Sequence, residues 1–255
     1  MTVLLEARGV SKRFGGLVAV ADLDFEVRAG EILGVIGPNG AGKSTTFNMI
    51  AGAYTPSAGS ITFQGARLDG LPPHAIAAQG VMRTFQHNKP FVGMSVRDNV
   101  MVGMHTRLAR SLWRVFAGGA AARAAEAAAI ERAEELVEFV GLAEWRSAPV
   151  TTLSFGQGRL LEIARALAGE PKLILLDEPA AGLTLAECER LAEVIRSIAA
   201  RDIAVLLIEH DMRFLFALAD RVVVLNFGRK IAEGSPEAVR ADAAVIEAYL
   251  GMSHA

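Results

Sequence analysis

Hydrophobic and polar positions alternate in the N-terminal part of the chain. Leu23, Phe25 and Val27 are separated by charged residues, and this spacing of two predicts a strand with one buried face. Two short apolar runs, at residues 31–36 and 61–63, are also predicted to be strands. The N-terminal part of the chain is therefore expected to be built largely from strands.

The pattern changes in the middle of the chain, where helix-favouring residues dominate. Residues 99–142 have a helical composition, and alanine, glutamate and leucine are densest at residues 121–142. Gly118 and Gly119 divide this stretch into two pieces. The middle of the chain is therefore predicted to be a helical subdomain inserted into a structure of strands and helices.

Strands and helices alternate again in the second half of the chain. Residues 173–176, 203–208 and 222–225 are apolar runs that suit strands buried on both faces. A helix is predicted after the first of these strands, with an apolar stripe made by Cys188, Leu191, Val194, Ile195 and Ile198. This alternation predicts an α/β architecture with a mostly parallel central sheet.

Composition and charge narrow the classes of protein that fit this pattern. The 26 basic and 28 acidic residues give a net charge of −2, whereas nucleic-acid-binding proteins usually carry a basic surplus. Cys188 is the single cysteine, which excludes an internal disulfide and fits a reducing compartment. We see neither a secretory pattern at the N-terminus nor an apolar run of about 18 residues. If the protein serves a membrane, we expect it to dock onto another chain.

The strongest chemical motif is GPNGAGKST, at residues 37–45, between a predicted strand and a predicted helix that ends before Gly52. Its glycines let backbone amides surround phosphate oxygens, Lys43 supplies a positive charge, and the Ser44 hydroxyl can coordinate Mg²⁺. The pattern arises by chance in on the order of 1% of chains of this length, and its position between strand and helix lowers that fraction. The segment therefore predicts a phosphate-binding loop, or P-loop.

The second motif is LILLDEP, in which four apolar residues lead to two carboxylates at the end of a strand. The carboxyl end of a strand in an open α/β sheet faces the ligand crevice. Asp177 can hold Mg²⁺ there, and Glu178 can polarise a water that attacks a terminal phosphate. An ordinary acidic loop is the alternative interpretation, but the P-loop upstream favours the functional one.

The third motif is LSFGQ, at residues 153–157, and with the first two it resembles the signature of ABC-type ATPases. That signature is usually LSGGQ, and Phe155 replaces a glycine in a mild departure. The resemblance covers essentially the whole chain. It implies an α/β fold with a P-loop ATPase core, a mostly parallel sheet, N-terminal antiparallel strands and an inserted helical subdomain. It also implies that Ser154 and Gly156 contact the γ-phosphate of ATP held by a partner subunit, whereas a simple helix cap at Ser154 is the alternative.

Three single residues follow in the order expected for the same family. Gln86 matches a residue that senses Mg²⁺ and the attacking water. His210 matches a residue that stabilises the γ-phosphate and the same water. Phe14 matches an aromatic residue that stacks on adenine. Taken singly, each has a simpler interpretation as a surface, structural or core residue.

Thr184 and Leu185 depart from the asparagine or aspartate and the proline that related ATPases often have. This departure leaves the hydrogen bonding of their loop open.

The resemblance therefore implies a set of site residues. The catalytic ones are Glu178, His210, Gln86 and Lys43; the metal-binding ones are Ser44, Gln86 and Asp177; the nucleotide-binding ones are Phe14, Gly37, Pro38, Asn39, Gly40, Ala41, Gly42, Lys43, Ser44, Thr45, Ser154, Gly156 and Gln157. The implied cofactors are ATP and Mg²⁺.

Three features resemble the ATPases of branched-chain, or hydrophobic, amino-acid uptake systems. They are LSFGQ with the helical run after it, the long helical stretch at residues 104–135, and the tail at residues 234–251. Relatives in this branch also import urea, short amides or aromatic acids, so the cargo stays open. The tail is equally well interpreted as an amphipathic C-terminal helix whose packed side chains are Val245, Ile246, Tyr249 and Leu250.

We expect one ABC ATPase domain over residues 1–255. Residues 1–86 and 165–233 would form the nucleotide-binding core, residues 87–164 the helical subdomain with LSFGQ, and residues 234–255 a helical tail. The resemblance implies a homodimer or heterodimer with a second ABC ATPase subunit, integral-membrane permease partners and, indirectly, a periplasmic or extracellular substrate-binding protein. It implies no nucleic-acid partner and a peripheral place at the cytoplasmic face of the cell membrane.

Two alternatives from other classes stay open. One is a soluble ABC ATPase that works on chromosomes or ribosomes; the single cassette, the short helical insertion and the lack of basic bias argue against it. The other is an ABC subunit that extracts lipid from a membrane. Such a subunit would share every ATP motif, and only the tail and LSFGQ argue against it.

Overall fold

The computed structural model describes residues 2–84, 90–104 and 120–250. The chain divides into two compact units. The core unit is formed by Met1–Arg83, Lys172–Ala181 and Ile195–Ala255, and the helical unit by Thr84–Pro171 and Gly182–Val194.

The strands, in chain order, are β1 (Val3–Phe14), β2 (Leu17–Arg28), β3 (Ile32–Ile36), β4 (Ala58–Phe63), β5 (Ala66–Arg67), β6 (Val81–Arg83), β7 (Leu173–Asp177), β8 (Ala204–Ile208), β9 (Arg221–Asn226) and β10 (Arg229–Gly234). The helices are α1 (Lys43–Ile50), α2 (Pro73–Ala78), α3 (Val96–Val102), α4 (Ala120–Phe139), α5 (Phe155–Ala168), α6 (Leu185–Ala199), α7 (Met212–Leu218), α8 (Pro236–Ala241) and α9 (Ala243–Leu250). Short 3-10 helices occupy Ala143–Trp145 and Val150–Thr152.

One sheet of the core unit is antiparallel, with strand order β2-β1-β4-β5. The predicted alternation in β2 is confirmed, because Leu23, Phe25 and Val27 are buried while the residues between them are half-buried or exposed. Phe47 and Met49 of α1 lie in the same hydrophobic cluster as residues of both sheets. Their burial fixes α1, and with it the loop before α1, against the sheets.

The second sheet of the core unit has the order β10-β9-β3-β8-β7-β6. Every neighbouring pair is parallel except β10 and β9, which are antiparallel. All residues of β3, β7 and β8 are buried, as their continuous apolar runs predict. The carboxyl ends of these three strands lie side by side, so the loops that follow them gather at one edge of the sheet. The predicted α/β fold class is confirmed.

The helical unit is held together by contacts among α3, α4 and α5. Asn99 is fully buried. Its Oδ1 accepts a hydrogen bond from the N–H of Phe91, and its Nδ2 donates to the carbonyl oxygens of Phe91 and Ser95. Gly103 allows a close approach, because a Cβ there would overlap the carbonyl oxygen of Arg165 in α5. The predicted helical character of this region is confirmed for the described residues, and Gly118 and Gly119 lie outside them.

The C-terminal tail forms two short helices rather than one. Asp242 separates α8 from α9, and its Oδ1 accepts hydrogen bonds from the backbone N–H of Ala244 (2.8 Å) and Val245 (3.2 Å). Val245 is buried as predicted, whereas Ile246 is 45% exposed. The side chain of Leu250 lies outside the described part of the chain. Within that part, no helix combines the length and the apolar character that a membrane span requires.

A buried ion pair ties the two sheets of the core unit together. The guanidinium of Arg221 on β9 contacts both carboxylate oxygens of Glu31, at 2.7 and 3.0 Å, and donates to the carbonyl of Glu26 on β2 at 2.7 Å. Burial disfavours the charged guanidinium, but the bonds and charges of Glu31 and Glu233 hold the pKa of Arg221 above its ordinary value. The guanidinium of Arg221 therefore keeps its charge where the sheets meet.

We predict that Glu31→Gln lowers the free energy of unfolding by about 3 kcal/mol, because it removes one of the two carboxylates that pair with a largely buried guanidinium. Equilibrium urea unfolding measures the change. Arg8→Gln is the matched control, because it removes an exposed ion pair with Glu6 and should leave unfolding unchanged. Equal effects of the two substitutions would contradict the importance of the Arg221 pair.

Candidate functional site

The predicted P-loop lies between β3 and α1 at the carboxyl edge of the parallel sheet. Gly37 has a φ of 153°, and a Cβ there would overlap the carbonyl oxygen of Leu225. Gly42 has a φ of 99° and is the cap residue of α1. Because glycine has no side chain, the cap residue leaves the N–H groups of the first turn of α1 uncapped. The loop thus presents backbone amides and a helix N-terminus, which together suit an anionic ligand.

Lys43 directs its ammonium back into this loop. The residue is 6% exposed, and its Nζ donates to the carbonyl oxygens of Gly37 (2.6 Å) and Pro38 (2.9 Å). Burial lowers the pKa of the ammonium, and the nearby carboxylates of Glu178 and Asp177 oppose this effect. The loop therefore holds a desolvated positive charge next to two negative ones.

Asp177 ends β7 and is almost completely buried. Its Oδ2 accepts a hydrogen bond from Arg83 Nη2 at 2.9 Å, and Arg83 Nη1 donates to Asn48 Oδ1 at 2.6 Å. Burial raises the pKa of Asp177, and the hydrogen bond and charge of Arg83 oppose the rise. Oδ1 has no hydrogen-bond partner among the described residues. Arg83 is a site residue that the motifs do not reveal.

Glu178 follows Asp177 and has a backbone conformation that residues other than glycine seldom adopt. Its φ is 49°, in the left-handed region, which costs conformational energy for a residue other than glycine. Its Oε1 lies 2.7 Å from Nε2 of His210, which follows β8. Strained backbone of this kind clusters at functional sites, and here it directs a carboxylate toward the histidine that the sequence singles out.

Glu209, the residue before His210, holds the two loops in register. It is 4% exposed; one carboxylate oxygen accepts from the N–H of Ala180 at 2.7 Å and the other from the N–H of His210 at 3.0 Å. Burial raises the pKa of Glu209, and these backbone bonds oppose the rise. The sequence motifs do not include Glu209. An acidic residue at the end of a wholly buried strand could nevertheless have indicated it, because acidic residues are seldom buried unless they are paired.

Phe14 lies at the end of β1 and presents an aromatic surface. It is 41% exposed, and its ring packs edge-on against Tyr54, with centroids 5.2 Å apart and planes at 77°. The ammonium of Lys12 lies 5.1 Å from the Phe14 centroid. An exposed, supported ring beside a positive charge can stack on a planar base.

Ser154 begins α5 in the helical unit. Its Oγ accepts from the N–H of Gln157 at 3.2 Å, and the Gln157 side chain accepts from the N–H of Ser154 at 2.8 Å. This reciprocal capping box fixes the first turn and uses the Gln157 side chain for that purpose. Phe155 is 52% exposed and stacks under the guanidinium of Arg159 at 5.1 Å.

Thr184 begins α6 in the same way. Its N–H and hydroxyl donate to Oε2 of Glu187, both at 2.9 Å, and its Oγ1 accepts from the N–H of Glu187 at 3.4 Å. Threonine therefore supplies the helix cap that an asparagine or aspartate could supply at this position. Leu185 is 78% exposed. Gln86 lies outside the described residues, so its predicted role stays a prediction.

The core unit thus brings several of the predicted site residues to one edge of its sheet. A buried ammonium, a helix N-terminus and two carboxylates surround the ends of β3, β7 and β8. The tail also reaches this edge, because burial raises the pKa of the Tyr249 hydroxyl and the nearby N–H of Gly37 opposes the rise. Ser154 and Gly156 lie in the helical unit instead. The edge in the core unit is equipped to bind a polyphosphate and to position a water beside it.

Comparison with known families agrees with this chemistry. The model of the ABC transporter family matches residues 20–181. A second model, described as the branched-chain amino acid ATP-binding cassette transporter, matches residues 229–254, which include most of the tail.

Known proteins resemble the chain over almost its whole length. LivG of Salmonella typhimurium, a high-affinity branched-chain amino acid transport ATP-binding protein, is 43% identical over 97% of this chain and 98% of its own. BraF of Pseudomonas aeruginosa, which bears the same description, is 41% identical over the same shares. The crystal structure of the ADP conformation of MJ1267, an ATP-binding cassette of an ABC transporter, has a TM-score of 0.85 and 29% identity over 98% of this chain and 100% of that chain.

These matches confirm the resemblance to the ABC ATPases and to their branched-chain amino-acid branch. The family model covers more than half of the chain, and the relatives cover nearly all of it. The chain belongs to the ABC transporter family and is one of its ATP-binding, ATP-hydrolysing subunits.

Proposed function

We propose that this chain hydrolyses ATP as one of two paired subunits and so powers a membrane permease that imports branched-chain or other hydrophobic amino acids. The observation that carries the chemistry is the contact between Glu178 and His210 at the sheet edge that holds the P-loop. The match of the tail to the branched-chain family model supports the cargo.

The residues at this edge fit Mg²⁺, which prefers oxygen ligands and accompanies phosphates. Oδ1 of Asp177 is buried and has no hydrogen-bond partner among the described residues, and the Ser44 hydroxyl lies at the start of α1. We expect these two groups, with Gln86, to hold the ion directly or through water. When bound, Mg²⁺ neutralises phosphate charge.

ATP binding requires Lys43 to change partners. In the structure its ammonium donates to the carbonyls of Gly37 and Pro38, and phosphate oxygens accept from it more strongly than neutral carbonyls do. The amides of residues 39–45 then bind the remaining phosphate oxygens, and Phe14 stacks on the adenine with Tyr54 behind it. The ammonium of Lys43 is therefore the group that has to move in this step.

Hydrolysis needs a base beside the terminal phosphate. Glu178 accepts a proton from the attacking water as the water oxygen bonds to the γ-phosphorus and the bond to the bridging oxygen of ADP breaks. His210 holds the Glu178 carboxylate, and Glu209 holds the backbone of His210. The position of the base therefore depends on the loops after β7 and β8.

The remaining phosphate contacts come from a second subunit. Ser154 and Gly156 lie at the first turn of α5, where the hydroxyl and the backbone N–H groups of that turn can bind the γ-phosphate of ATP on the partner subunit's P-loop. Two such sites would close on two ATP molecules. Closure would drive the permease at the cytoplasmic face of the membrane, and hydrolysis would release it.

We predict that Glu178→Gln lowers turnover at least about 100-fold, because the amide keeps the size of the side chain but cannot accept the proton. ATP binding should persist, so an ATP-bound dimer should accumulate on size-exclusion chromatography. Glu189→Gln, the same change on the exposed side of α6, is the control and should retain turnover. Near wild-type hydrolysis by Glu178→Gln would reject Glu178 as the base.

We predict that two inactive variants complement each other if active sites are shared. Ser154→Arg disables the α5 contact and Lys43→Ala the P-loop, so a mixed dimer has one site with both lesions and one with neither. Mixing the two purified variants should restore a part of the ATPase activity. Heterodimers proven by two affinity tags that nevertheless show no activity would contradict shared sites.

We predict that deleting the gene abolishes uptake of radiolabelled leucine, isoleucine and valine by the source cells. A copy that encodes Glu178→Gln should fail to restore uptake, whereas Glu189→Gln should restore it. Unchanged uptake of these amino acids, with loss of urea or aromatic-acid uptake, would contradict the cargo and leave the ATPase assignment standing.

A further inference from the structure

A carboxylate of the chain itself occupies the N-terminus of α5. The carboxylate of Glu187 packs against Gly156, at the second position of the helix, and the N–H of Gly156 favours its ionised form. The contact is tight, because a Cβ built on Gly156 would lie 2.6 Å from Glu187 Cδ. Both residues belong to the helical unit.

Glu187 is held in this place from its own helix. Oε2 accepts two hydrogen bonds from Thr184, and Oε1 is the carboxylate oxygen nearest to the Gly156 position. The hydrogen bonds from the backbone and hydroxyl of Thr184, and to a smaller extent the nearby N–H of Gly156, hold the pKa of Glu187 below its ordinary value. The group is therefore an ionised acceptor at neutral pH.

The capping box of α6 explains only part of this arrangement. A glutamate at the third position of a helix reaches back to its cap residue, as Glu187 does to Thr184. Nothing in that motif requires the same carboxylate to bind the first turn of another helix. Ser154, Gly156 and Glu187 line one cavity of about 180 Å³, so the carboxylate lies where an anionic ligand of α5 would bind.

We propose that Glu187 is a specificity-determining residue that competes with the γ-phosphate of ATP for the N–H of Gly156. This inference rests on the proposed function, in which Ser154 and Gly156 bind ATP held by the partner subunit. A γ-phosphate must displace the carboxylate and overcome its like charge, whereas ADP has no γ-phosphate to do so. Glu187 therefore sets the ATP concentration at which the dimer closes, and it rebinds Gly156 when phosphate leaves.

The test measures the ATP concentration that gives half-maximal dimer formation by the full-length protein carrying Glu178→Gln, which prevents turnover. Adding Glu187→Gln removes the competing charge and should lower this concentration about 5- to 10-fold. Adding Glu187→Asp keeps a negative charge at the start of α6 but shortens the side chain away from Gly156. Glu187→Asp should therefore also lower the half-maximal ATP concentration.

Two controls separate competition from helix capping. Thr184→Val removes the hydroxyl of the cap and leaves the carboxylate, so it should not lower the half-maximal ATP concentration. Glu189→Gln removes a charge from α6 away from Gly156 and should leave the concentration unchanged. Circular dichroism and thermal unfolding establish that each variant is folded.

The outcomes that overturn the inference are distinct. If the Glu178→Gln parent dimerises with ATP and Glu187→Gln leaves the half-maximal concentration unchanged or raises it, Glu187 is a helix cap alone. If Glu189→Gln lowers the concentration as much as Glu187→Gln, the effect is one of overall charge and the inference fails. If the parent forms no dimer with ATP, or if Ser154→Arg leaves its dimerisation intact, the proposed shared site fails and this inference fails with it.

Discussion

The core unit has to keep a desolvated ammonium charged at the end of a buried sheet, and the rest of its site follows from that constraint. Burial lowers the pKa of Lys43, and the carboxylates of Asp177 and Glu178 offset the effect. Asp177 is itself buried and depends on Arg83, while Glu178 depends on His210. Lys43 and Asp177 are both buried, so removing the charge that supports either of them leaves the other group with an unpaired burial cost.

The two units use the same physical device in different ways. At α1, a helix N-terminus without a side-chain cap opens toward the P-loop, and the anion that fits it has to come from outside. At α5, the cap residue Ser154 exchanges hydrogen bonds with Gln157, and the carboxylate of Glu187 packs against Gly156 in the first turn. The first turn of α1 therefore has no capping side chain, whereas the first turn of α5 has a carboxylate of the chain beside it.

Local patterns predict much of the fold and several of the site residues. The P-loop is a contiguous motif, and the apolar runs that become β3, β7 and β8 are long enough to be recognised as strands, so the residues at their ends can be assigned to one edge. Thr184 departs from its relatives in identity but keeps the helix cap, because threonine also accepts a hydrogen bond from the first turn.

The parts that could not be predicted depend on contacts between distant segments. Arg83 lies 94 residues before its partner Asp177, and Ala180 lies 29 residues before Glu209, so no local motif connects them. Tyr54 supports Phe14 only because the end of β1 meets the loop after α1. The apolar spacing of the tail suggests a single amphipathic helix, but the chain breaks at Asp242 into α8 and α9. Ile246 in α9 is consequently exposed.

A crystal structure of the Glu178→Gln protein with ATP and Mg²⁺ would test the central claim most directly, because it reports both anion sites at once. The account predicts that Lys43 leaves the carbonyls of Gly37 and Pro38 for the phosphates, and that the γ-phosphate also contacts the partner subunit's Ser154. A bound ATP with Lys43 still on those carbonyls, or with a γ-phosphate that no second subunit contacts, would contradict it.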